Sequence, residues 1–153
     1  MASENRRNTA DDLDFDSDND EFLKSYTRKL LQKSMQPVEF TDEDELISLT
    51  TSQTMIVHFY NPAFRACSYM NKALRLVAPK FPSIKFVLIE ASKCPRMSDS
   101  LCIDILPFVG FFRDGFFVDQ LVGFEKLGNR PTFLVEDLEK FIRESNIFRG
   151  NNE

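Results

Sequence analysis

The chain has 153 residues, 42% of them hydrophobic, with 16 phenylalanines and no tryptophan, which is one domain's length with enough apolar material for a core. Its net charge is −5; residues 1–21 hold eight acids against two arginines, so that end carries −6 and the remainder +1, and no basic run or stripe marks a nucleic-acid surface. Three cysteines without framework spacing, no apolar run of bilayer length and no apolar segment in the first twenty residues argue against a disulfide scaffold, membrane insertion and a secretory leader, and point to a reducing, cytoplasmic setting.

Residues 1–19 read as a disordered acidic leader. Its acids repel one another, and Leu13 and Phe15 are too little apolar surface to offset the entropy of ordering. It is either a docking tail for a basic partner or a solubilising segment. Asp20 is placed to cap a helix running to about Ser34, within an N-terminal segment 20–36. Leu23, Tyr26, Leu30 and Leu31 share a broad apolar face, and Lys24, Arg28, Lys29 and Lys33 take much of the rest.

A folded domain is expected over 37–148. Gln36–Phe40 is a short extended piece, and Thr41 is expected to cap a second helix with Asp44 as the capping-box acid. Leu46, Ile47 and Leu49 form that helix's inner side. Met55–Met70, MIVHFYNPAFRACSYM, organises the chain. Met55–Tyr60 is a buried strand with His58 as its one polar residue, and Asn61-Pro62 breaks it. Cys67, Met70, Leu74 and Val77 then mark one face of a helix that ends near Lys80, where Pro79 and Pro82 stop it.

Ile84–Ala91 is a second apolar strand, and Pro95–Leu101 a short helix. Phe108–Phe112 and Phe116–Val122 flank Arg113-Asp114-Gly115, a hairpin turn. The first arm is apolar at every position except Gly110, so it needs cover on both faces. Leu134, Leu138, Phe141 and Ile142 mark a final helix, and 149–153 is a loose tail. Strands separated by helices require parallel crossovers and the hairpin is antiparallel. The fold class is therefore α/β, a mixed central sheet with helices on both faces, preceded by the leader and the N-terminal helix.

A strand that passes through a short loop into a helix is where many thiol enzymes hold their reactive sulfur, yet Cys67 is the one cysteine there. Cys94 and Cys102 lack a second ligand pair and His58 is the only histidine, so no metal site is expected. No Walker A loop, Rossmann glycine pattern or HExxH occurs, and no cofactor is expected.

The motifs HFYNPAFRAC, IDILPFVGFFRDGFFVDQLVGFEKLGN and FLVEDLEKFI resemble the thioredoxin fold. Within it they are similar to the phosducin-like family, the branch with thioredoxin domain-containing protein 9 and the small phosducin-like proteins. The similarity runs from about Thr54 to Phe148. It implies a redox-inactive co-chaperone that binds the cytosolic chaperonin TRiC/CCT and modulates folding of actin- and tubulin-type clients. The alternatives are a single-cysteine redox sensor, or a regulator binding G-protein βγ dimers as the phosducins proper do.

The resemblance also assigns positions. Phe64-Arg65-Ala66-Cys67 matches the dithiol motif, with Phe64 at the attacking cysteine and Cys67 at the resolving one, so no dithiol cycle can run. His58 matches a buried acid that handles the resolving cysteine's proton. It is either half of a thiolate pair with Cys67 or an inward histidine satisfied by a backbone group. Pro107 matches a cis-proline facing the active-site loop. Phe64, Leu106 and Pro107 then either keep an apolar peptide groove or serve the fold alone.

Overall fold

The computed structural model describes residues 17–128 and 132–148. The leader as far as residue 16 and the tail beyond Phe148 lie outside the described residues. The chain divides into two units, Met1–Ser34 and Met35–Glu153.

In the first unit, α1 (Ser17–Ser34) starts three residues before the expected Asp20. Asp20 is not its cap; it lies inside the helix and pairs with Lys24 one turn on, at 3.3 Å. Acids in a first turn suit the positive end of the helix dipole, which favours an early start. Phe22, Leu23 and Tyr26 are all exposed, and the rings of Phe22 and Tyr26 stack at 6.4 Å. The side chains of Leu30 and Leu31 lie outside the described ones.

The second unit runs β1 (Val38–Phe40), α2 (Glu43–Thr50), β2 (Met55–Tyr60), α3 (Arg65–Val77), β3 (Lys85–Glu90), α4 (Pro95–Ser100), β4 (Phe108–Arg113), β5 (Phe116–Val122) and α5 (Val135–Glu144). Short 3-10 turns follow α3, β3, β5 and α5. The five strands form one sheet in the order β1-β3-β2-β4-β5. The β1–β3 and β3–β2 pairs are parallel, and β2–β4 and β4–β5 are antiparallel. This is the mixed sheet that the alternation of strands and helices requires.

Strand alternation splits the core into two layers. Met55, Val57 and Phe59 of β2 join Val87, Ile89, Phe108 and Phe112 under Leu46 of α2 and Met97 of α4. Ile56 joins Phe86, Leu88, Val109 and Phe111 under Met70, Leu74 and Val77 of α3 and Leu138 and Ile142 of α5. Both faces of β2, β3 and β4 are thus covered, which is why their interiors are apolar apart from His58. The β4–β5 turn puts both Asp114 (φ 51°) and Gly115 (φ 88°) in the left-handed region, the twist that a two-residue hairpin needs.

In this unit two helix starts differ from expectation. Asp42, not Thr41, caps α2, and its carboxylate accepts the Asp44 N–H at 3.0 Å. Asp44 itself turns outward to Arg96 instead of closing a capping box. At α5, Leu134 is the residue before the helix and is exposed, whereas Phe133 is buried. The Phe133 ring packs edge-on against Tyr69 and Phe124, at 4.9 and 4.8 Å, and its carbonyl accepts the Tyr69 hydroxyl. That aromatic anchor, absent from the expected helix face, sets where α5 begins.

Candidate functional site

The loop between β2 and α3 is shaped by Asn61. Its side-chain oxygen accepts the Ala63 N–H at 2.9 Å and its carbonyl accepts the Phe64 N–H at 3.0 Å. Phe64 follows with extended backbone (φ −92°, ψ 124°) and no side-chain cap, so α3 opens at Arg65. Exposure separates the four motif residues. Phe64 is 45% exposed, Arg65 is exposed, Ala66 is half-buried and Cys67 is fully buried. An aromatic ring therefore stands at the helix entrance, and the single sulfur of the motif points inward.

Burial pushes the Cys67 thiol above its ordinary pKa, and the Asn61 backbone pulls it back in part. His58 is driven the other way, down to about 4, because burial penalises the imidazolium more than its hydrogen bond to Asn71 favours it. Its Nδ1 lies 2.7 Å from Asn71 Oδ1, the geometry of an N–H donated to the amide oxygen. Nε2 has no partner among the described residues. Both groups are thus held neutral, the opposite of a thiolate–imidazolium pair. The partner of His58 is an amide side chain and not the backbone group expected from sequence. Asn71 was not singled out from sequence; its signal was a position one helical turn beyond Cys67.

The Leu106–Pro107 bond is cis. Pro107 is buried, and its carbonyl accepts the Gly123 N–H at 2.8 Å; Gly123 has φ 58°, in the region that glycine enters freely. Leu106 is half-buried, and among the described residues its N–H and carbonyl take no hydrogen bond. Phe59 pairs with Phe108 across β2 and β4. The Asn61–Phe64 loop therefore leaves the sheet at the same end at which Leu106-Pro107 enters it. His58, one pair further in opposite Val109, lies behind that end.

The other cysteines do not join this site. Cys94 is buried, donates to the Glu90 carbonyl at 3.5 Å, and is pushed up to about 11 chiefly by burial. Cys102 is exposed in a turn with φ 55°. Among the described residues no cluster of His, Cys, Asp and Glu has the makings of a metal site, and no helix is long and apolar enough to cross a membrane. Chemically, the arrangement offers a buried thiol whose ionisation burial disfavours, one helical turn from an exposed ring, at the sheet end where the Leu106 backbone takes no hydrogen bond among the described residues.

Solved thioredoxins share the fold. The crystal structure of thioredoxin from Trypanosoma brucei brucei superposes with a TM-score of 0.58 at 16% identity, covering 72% of this chain and 94% of that one. Mitochondrial thioredoxin 3 from Saccharomyces cerevisiae gives 0.57 at 18%, covering 74% and 97%. In sequence, the chain is 31% identical to phosducin-like protein 3 of Dictyostelium discoideum, over 95% of this chain and 85% of that protein. It is 31% identical to phosducin-like protein 1 of Saccharomyces cerevisiae, over 99% and 74%. Against human thioredoxin domain-containing protein 9 the figure is 28%, over 72% of this chain but only 50% of that protein. The phosducin family model matches residues 7–151. On that match and these relatives, the chain belongs to the phosducin family.

Proposed function

We propose that this protein is a non-catalytic co-chaperone of the phosducin-like kind, which binds the cytosolic chaperonin and modulates the folding of actin- and tubulin-type clients. The observation that carries this reading is the family match, which runs through α1 and every element of the second unit rather than the thioredoxin-like part alone. The site supports it. A dithiol exchange needs an exposed attacking thiolate, and Phe64 occupies that place while Cys67 is buried and held protonated. Within the same reading, Phe64 and the free backbone of Leu106 beside Pro107 give an extended client segment an apolar contact and main-chain hydrogen bonds.

The test is affinity capture from cytosol with the tagged full chain as bait, and in parallel with residues 36–153. Chaperonin subunits in the full-chain eluate are the expected result. Their absence from both eluates, with both baits folded by circular dichroism, overturns the reading. For the peptide contact, amide shifts at Phe64 and Leu106 on adding an extended client peptide are expected, and no shift there removes that part alone.

A further inference from the structure

Helix α3 has an outward face that carries bases and no acid. Arg65, Ser68, Lys72, Arg75 and Leu76 are exposed along it, and Phe64 stands at its start. At 100° per residue these positions fall in one continuous arc, opposite Cys67, Met70 and Leu74. The helix contains no acid at all. Elsewhere in this unit, Lys80 and Arg143 pair with Glu139, Lys93 with Glu90, and Arg96 with Glu43 and Asp44. Arg65, Lys72 and Arg75 make no ion pair among the described residues. Glu39, which shares the neighbourhood of Tyr60 with Arg75, is engaged by the Tyr60 hydroxyl at 2.7 Å. A chain of net charge −5 thus displays three cations in a row without an ion pair among the described residues, bracketed by two exposed apolar side chains, Phe64 at 45% and Leu76 at 62%.

We propose that this face of α3 is a docking surface for an acidic segment of a partner protein in which apolar residues flank a short run of carboxylates. Charge complementarity selects an anionic occupant, because desolvating three like charges is favourable only against anions that replace their water, and the exposed Phe64 and Leu76 at the two ends favour a peptide that carries apolar side chains beside its carboxylates. Spacing refines it. Phe64 and Leu76 are twelve residues apart on the helix, about 18 Å at 1.5 Å per residue, which an extended peptide covers in about five or six residues. The surface holds whether or not the partner is the chaperonin, so the two proposals fail separately.

Binding of the full chain is measured by fluorescence anisotropy with a labelled peptide carrying four glutamates between a phenylalanine and a leucine. The glutamine counterpart of that peptide and phosphatidylserine vesicles serve as comparison ligands. Saturable binding that weakens with salt is expected for the glutamate peptide and not for the glutamine one. The double substitution K72E/R75E is expected to weaken it about tenfold, and Leu76→Ser about threefold. Lys140→Glu, the same charge change on exposed α5, is expected to leave it unchanged. All substituted residues are exposed, so unchanged thermal midpoints confirm folding. No saturable binding, equal weakening by Lys140→Glu, or vesicle binding that needs Lys72 and Arg75 without peptide binding would each overturn the proposal.

Discussion

At the scale of single residues, His58 and Cys67 show how burial decides chemistry. A histidine whose folded pKa is about 4, against 6.5 when unfolded, binds its proton more readily in the unfolded chain. Its contribution to stability is complete above pH 6.5 and is lost as pH falls toward 4, with about 2 kcal/mol gone by pH 5. Denaturant melts at pH 7, 6 and 5 should show this loss, and His58→Leu should flatten the slope in that window even though it strands Asn71 and lowers stability overall. Glu139, whose carboxyl is held below its usual range by Arg143 and Lys80, adds its own loss only at more acid pH. An unchanged slope in His58→Leu would show that His58 does not carry the effect. For Cys67, the same burial predicts slow alkylation of the native protein, comparable to Cys94, with exposed Cys102 reacting first. Mass mapping of iodoacetamide adducts over time checks this; rapid labelling of Cys67 would favour the single-cysteine sensor instead.

At the scale of elements, local signals located most of the structure and tertiary contacts adjusted the ends. The six residues of β2 and the arms of the hairpin stand where their apolar runs placed them. The start of α2 moved by one residue because two neighbouring residues, Thr41 and Asp42, both have side chains that cap well. Asp42→Ala should cost about 1 kcal/mol, and Thr41→Ala much less, by thermal melts. At α5 the helical period drew Leu134 inward, but the preceding Phe133 took the core position against Tyr69 and Phe124. Phe133→Ala should cost about 3–5 kcal/mol, and Leu134→Ala under about 1 kcal/mol. Equal effects of the two would contradict the assignment of the anchor.

At the scale of the whole molecule, the thioredoxin-like architecture combines a mixed sheet and a cis Leu106–Pro107 bond with an exposed Phe64 ring at the entrance of α3, where Cys67 is buried and is the one thiol. Insulin reduction with dithiothreitol as electron donor should therefore proceed at the rate of the protein-free reaction, and turnover above it would defeat the non-catalytic reading. The chain by itself determined the strand and helix order, the mixed sheet, the missing vicinal thiol and the family, because these rest on periodicity, turn residues and residue identity along a line. Only the tertiary structure decided that Asn71 holds His58, that burial disfavours the charged forms of both Cys67 and His58, and that Arg65, Lys72 and Arg75 form one row without an ion pair among the described residues. No basic run is visible in sequence, since bases three to seven positions apart align only when a helix winds them onto one face. Whether they find carboxylate partners depends on distant segments that packing alone brings near.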